Sequence, residues 1–136
     1  MPKYFTVDQA NRTLPLVRQI VSDIVSSHRE LQRAAAAHDS LEGGSREDEA
    51  RRRKLNRELE EQTATVNRFI GELHEMGVLF KGFDNGLVDF YGRLDGRPVF
   101  LCWKLGEDRV EWWHEIEAGY VGRQRLPAHL FSGDAT

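Results

Sequence analysis

The sequence predicts an α+β fold, a long antiparallel helical hairpin packed on a four-stranded antiparallel β-meander. Three observations carry that reading. Ten of the thirteen aromatic residues follow Gly77, whereas the stretch before it is rich in Ala, Glu, Arg, Leu and Gln, which favour helix. Apolar residues recur at spacings of three and four in the first half, the period of an amphipathic helix. The second half is punctuated by Asn85-Gly86 and Asp95-Gly96, dipeptides preferred in two-residue hairpin turns because both central positions need positive φ.

The elements follow in order. Thr6 with Gln9 three residues on forms a capping box, which starts a helix at Val7. Pro15 lacks an amide donor and restrains its predecessor, so a short helix over Val7–Thr13 is expected to kink or restart there. Beyond it Val17, Ile20, Val21, Ile24, Val25, His28 and Leu31 line one helical face running to about Ala37. The segment HDSLEGGSRED makes the hairpin turn, and Ser45 caps the next helix. Leu55, Leu59, Val66, Phe69, Ile70, Leu73 and Met76 give that helix its apolar stripe, ending near Gly77. Strands are expected near 78–84, 87–94, 97–105 and 110–116. A length of 136 residues suits one domain with a real core: hairpin over about 6–77, meander over about 78–116, and a C-terminal segment over 117–136.

Composition narrows the function classes. A net charge of -3 and a pI near 6.0 give no strong pull toward nucleic acid or anionic lipid. The RRRK tract sits where six basic residues meet six acidic ones between Arg46 and Glu61. Glu47–Arg51, Asp48–Arg52 and Glu49–Arg53 fall at the i,i+4 spacing that pairs charges along a helix. A solvated helix face is therefore expected, with no nucleic-acid partner. No apolar run reaches membrane-span length and the start MPKYFTVDQANRTL lacks a signal pattern. With one cysteine, Cys102, the chain can form no internal disulfide. The expected location is the cytoplasm, and no membrane partner is expected.

Register decides what VEWWHEIEAGYVGRQ does, because a shift of one residue exchanges the two faces of a strand. The Asp95-Gly96 turn pairs Leu94 with Arg97, Phe90 with Leu101 and Asp89 with Cys102. A four-residue loop over Gly106–Arg109 then pairs Leu105 with Val110, Trp103 with Trp112, Leu101 with His114 and Lys104 with Glu111. On that register Val88, Phe90, Val99, Leu101, Trp103, Val110, Trp112, His114 and Ile116 form the core wall. The opposite face holds Asp89, Tyr91, Phe100, Cys102, Lys104, Glu111, Trp113 and Glu115.

Of these, Asp89, Tyr91, Cys102, Trp113 and Glu115, together with Arg123, which backbone bends at Gly119 and Gly122 on either side of Tyr120-Val121 can aim toward those carboxylates or an anion, make a candidate interface or ligand face. A second copy of the chain is the simplest cover for its tryptophan, since aromatic residues concentrate at interface centres. A homodimer is expected, with a small-ligand pocket as the rival. His114 is expected to be a neutral core histidine. The run His114-Glu115-Ile116-Glu117 also suggests a metal, but on a strand His114 and Glu115 point to opposite faces, leaving His114 and Glu117 as the ligand candidates.

The stretches YFTVDQANRTLPLV, GLVDFYGRLDGRPVFLCWKLGE and WHEIEAGYVGRQ together resemble the uncharacterised bacterial family known as domain of unknown function 2203. The resemblance spans nearly the whole chain and implies no established activity, cofactor or catalytic residue. GxxxxGK[ST], GxGxxG after a strand, HExxH and GxSxG are all absent from the sequence. The reading is a non-enzymatic interaction or oligomerisation module, and the alternative is a metal-binding protein or metal-assisted hydrolase centred on His114 and Glu117.

Overall fold

Helix α1 runs unbroken from Val7 to Asp39 in the computed structural model, which describes residues 2–131. Its capping box is formed on both sides, Gln9 N–H donating to Thr6 Oγ1 and Thr6 N–H to Gln9 Oε1, each at 3.0 Å. The helix does not restart at Pro15. Pro15 lies on the exposed side of the helix, where its ring displaces no core packing and the helix tolerates the lost donor. Helix α2 spans Arg46–Glu75, with Ser45 Oγ accepting from Asp48 N–H at 3.1 Å. Its charges pair differently from the expected i,i+4 set: Arg52 binds Glu49 at 2.8 Å and also donates to the carbonyls of Leu41 and Gly43, closing the hairpin turn. No helix among the described residues is long and apolar enough to cross a membrane.

Five strands, β1 (Val78–Gly82), β2 (Leu87–Leu94), β3 (Arg97–Lys104), β4 (Trp112–His114) and β5 (Gln124–Arg125), form one antiparallel sheet in chain order. The fifth strand is only two residues long and carries no alternation in its sequence to announce it. Asp95 and Gly96 both have positive φ, 53° and 80°, as the primed two-residue turn requires, and Leu94 pairs with Arg97 as expected. The first hairpin differs. Only Gly86 of its pair has positive φ, Gly82 pairs with Leu87, and the register slips between Phe80 and Gly82.

The hairpin covers one face of the sheet. Val17, Val21, Ile24 and Leu73 pack with Val78, Val88, Phe90, Val99, Leu101 and Trp103 in one continuous core. Burial of a single such aliphatic or aromatic side chain stabilises by about 1.5–3 kcal/mol. Gly86 lets the sheet approach the helix: a Cβ there would lie 2.8 Å from Val21 Cγ1 and 2.9 Å from Leu105 Cβ.

The β3–β4 connection overturns the expected register. The observed pairs are Phe100–His114, Leu101–Trp113 and Cys102–Trp112, one residue away from the expected set. The cause lies in α1. Val110 leaves the ladder and its backbone is taken by the Asn11 side chain, which accepts from Val110 N–H at 2.7 Å and donates to Val110 C=O at 3.2 Å. Val110 is buried in the core, and so is Trp113. That spacing of three, where regular alternation needs an even number, exchanges the faces of everything after Glu111.

Candidate metal centre

The exchange puts Trp112 and His114 on the face turned away from the hairpin, beside Asp89 and Cys102, and puts Trp113 and Glu115 on the core side. His114 is thus not a residue of the helix-covered core, and Trp113 and Glu115 do not belong to the outer face. Trp113 packs in the core, and Glu115 binds Arg97 at the rim. The expected Lys104–Glu111 pair is replaced: Glu111 meets Arg109 at 3.2 Å and Arg125 at 3.3 Å, while Lys104 Nζ donates to the Tyr120 hydroxyl at 2.9 Å. Tyr91 does lie on the outer face, but among rings, 4.8 Å from Phe100 and 5.9 Å from Tyr4.

Asp89 sits on β2, Cys102 opposite it on β3, and His114 on β4. One ligand atom from each, a carboxylate oxygen, Sγ and an imidazole nitrogen, lies within 4.8 Å of the others. All three residues are buried, Cys102 at 0 %, Asp89 and His114 at 2 % exposure. The same chain therefore covers the outer face at this point, and the cover expected from a partner is not needed there. Glu117 is exposed and lies outside the cluster.

The imidazole has a fixed role for each nitrogen. His114 Nδ1 is 2.8 Å from the Glu115 carbonyl oxygen. A carbonyl only accepts, so Nδ1 carries a hydrogen and donates it. Nε2 then faces Asp89 Oδ1 at 3.0 Å. Either one proton is held between them or a cation takes its place. Burial pushes the Asp89 carboxyl up, against the opposing pull of His114 and of Lys81, whose Nζ is 4.0 Å from Oδ2. Burial, reinforced by the Asp89 charge, pushes the Cys102 thiol up to about 12. The cysteine is accordingly a thiol at neutral pH, not an activated nucleophile of the kind made by a neighbouring base.

Arg123 closes one side. Its Nη1 and Nη2 donate to Glu107 Oε2 and Oε1 at 3.0 and 2.6 Å, a bidentate pair. Its guanidinium carbon lies 5.0 Å from both the Trp112 and Tyr120 ring centres. The guanidinium also adjoins the Cys102 thiol, where its charge works to lower the thiol pKa against burial. Glu107 is held in turn: Oε1 accepts from Lys104 N–H at 2.8 Å, and its carbonyl accepts from Trp103 Nε1 at 2.9 Å. Among the described residues, Arg123 Nε is buried with no hydrogen-bond partner. Such a donor costs about 1–3 kcal/mol when left unmet.

Sequence reasoning gathered Asp89, Cys102 and Arg123 on this face. It counted Glu107 only as one of several carboxylates on and beside the sheet, in a loop and without its Arg123 partner, and it assigned Trp112 to the core. A loop of odd length was the only sequence signal that could have moved His114 across.

A family model described as "Uncharacterized conserved protein (DUF2203)" matches residues 3–126. Comparison with curated proteins and with solved structures finds no match.

Proposed function

The chain belongs to this family of uncharacterised conserved proteins, which assigns a role to no residue, and from the side chains themselves we propose that it binds a divalent transition metal through Asp89, Cys102 and His114. The carrying observation is the imidazole: Nδ1 is anchored on a backbone carbonyl while Nε2 points at Asp89, 3.0 Å away. Donation of the second nitrogen to a carbonyl is the usual support for a metal-ligating histidine, fixing its tautomer and ring orientation. Ligand bonds of about 2.0–2.3 Å in a tetrahedron set neighbouring ligand atoms about 3.3–3.7 Å apart. The observed separations, 3.0 Å for one pair and none above 4.8 Å, need only small adjustments. Mixed nitrogen, sulfur and oxygen ligands favour zinc or a similar borderline ion over magnesium or calcium. Binding would replace the proton between Asp89 and His114 and displace that of Cys102, since a coordinating thiol ionises.

The test is metal analysis of tag-free protein purified under reducing conditions, with zinc titration of the chelator-stripped form. One equivalent should bind wild type. His114→Ala, Asp89→Asn and Cys102→Ser should each retain the fold by circular dichroism and lose the tight site. Wild-type metal content no higher than that of the three variants would sink the proposal. Replacing Glu117, outside the cluster, should change nothing.

Self-association is a second reading, favoured by one observation. Val121 is 96 % exposed and follows exposed Tyr120 and Ile116 along the chain, and such a projecting apolar side chain suits an interface with a second copy. Sedimentation of wild type and Val121→Glu over a dilution series tests it. A concentration-independent monomer in both would end that reading.

A further inference from the structure

We infer that the centre keeps one coordination position for a small oxygen-donor anion, hydroxide or a carboxylate, held by the Nε–H of Arg123; this rests on the metal reading above. Asp89, Cys102 and His114 supply three ligand atoms, and a tetrahedral ion with three protein ligands takes its fourth from solvent or substrate. Glu107 is not free to be the fourth, because Arg123 engages both of its oxygens and Lys104 N–H also binds Oε1.

Arg123 is the independent observation. Its side chain is 9 % exposed, its two terminal nitrogens are spent on Glu107, and its buried Nε has no acceptor among the described residues. The guanidinium interacts with the Cys102 sulfur without a hydrogen bond from Nε itself, so the group that carries the unmet donor borders the cluster. Buried donors are rarely left without a partner, and an oxygen bound to the metal would supply one. Placed there, an anion would receive a charge-assisted hydrogen bond in a water-excluded setting, the arrangement by which proteins stabilise oxyanions.

Charge agrees. With Asp89, Cys102 as thiolate and Glu107 negative, and Arg123 and Lys81 positive, a divalent ion leaves the group one positive charge in excess. A single monoanion balances it. The Trp112 and Tyr120 rings, each 5.0 Å from the guanidinium carbon, crowd the position and favour small anions.

The experiment uses the full chain loaded with one equivalent of Co²⁺ and titrated with formate, following the visible ligand-field bands. Formate should shift the wild-type bands saturably with one-to-one stoichiometry. Arg123→Lys keeps the charge but loses the planar donor, and should bind formate about tenfold more weakly or worse, the loss of one charge-assisted hydrogen bond. Its Co²⁺ stoichiometry should be unchanged. Arg123→Met should abolish the formate response; if that variant does not fold, the lysine variant carries the comparison. Bound Co²⁺ with bands unmoved by formate would show a closed site and overturn this inference while leaving the metal reading intact. Equal formate affinity in wild type and Arg123→Lys would remove Arg123 from the role. Failure of wild type to bind Co²⁺ or Zn²⁺ would remove the metal reading and this one with it.

Discussion

His114 Nε2 and Asp89 Oδ1 lie 3.0 Å apart although β4 and β2 do not pair with each other; β3 runs between them. Three strands are thus tied through one buried contact. In metal-free protein, His114→Ala should leave the Asp89 carboxyl buried without its partner and cost about 3–5 kcal/mol, the cost of breaking a buried pair from one side. The double variant with Asp89→Asn should cost less than the two single changes added together. Urea denaturation in the presence of chelator measures all three.

The neighbouring tryptophans should respond unequally, and in the order set by the observed register. Trp113 is a core residue at 7 % exposure, so Trp113→Ala should leave a cavity and cost roughly 3–5 kcal/mol. Trp112 is half-buried under the guanidinium groups of Arg123 and Arg125. Trp112→Ala should cost less, about 1–2 kcal/mol, from lost cation–π contact and partial burial. Its larger effect should fall on the position of Arg123. Equal losses in denaturant midpoint would contradict the assignment of faces.

Cys102 gives the metal-free protein an alkaline liability. Its folded pKa of about 12 lies above the ordinary 9.0, so the folded chain holds the proton more tightly than the unfolded one. That contribution is fully present below pH 9.0 and is lost as pH rises toward about 12. Integrated over the window it amounts to on the order of 4 kcal/mol. Stability of wild type relative to Cys102→Ala should therefore fall between pH 9 and 12, and a constant difference across that range would refute the assignment.

Gly86 should not tolerate a side chain. Its φ of +62° and the close approach of Val21 and Leu105 combine a strained backbone with overpacking, together about 2–4 kcal/mol for Gly86→Ala. Gly96 also has positive φ, 80°, but a Cβ there meets nothing within 4 Å. Gly96→Ala should cost only the backbone term, about 1 kcal/mol. Thermal melts of the two variants separate packing from conformation.

What could be read from the sequence was what short-range chemistry determines. The Thr6–Gln9 box, the Ser45 cap and the Asp95-Gly96 turn are local devices, and each formed where its residues stand. The β2–β3 register followed from a turn of known length. The continuity of α1 through Pro15 depended on that residue facing solvent, which its neighbours do not reveal. The site failed for a related reason: Asp89 and Cys102 were placed together because one hairpin determines both, whereas His114 depended on a register controlled by Asn11. Glu107 needed the fold of the connection itself.

The Asn11 clamp has a further consequence, in the order of assembly. Its partner Val110 is 99 residues away along the chain, so the contact that aligns β4 closes a very long loop. The β2–β3 hairpin can zip from its turn alone, but β4 has no correct alignment until α1 is docked on the sheet. During synthesis the first helix emerges well before the segment it positions. Long-range closure of this kind slows folding. Until it happens the chain can pair β4 with β3 one residue out of step, with Trp112 turned inward and His114 carried away from Asp89. The first helix is therefore a ruler for the last major strand, and an error in the alignment of that one element would erase the centre while leaving most of the hydrophobic core in place.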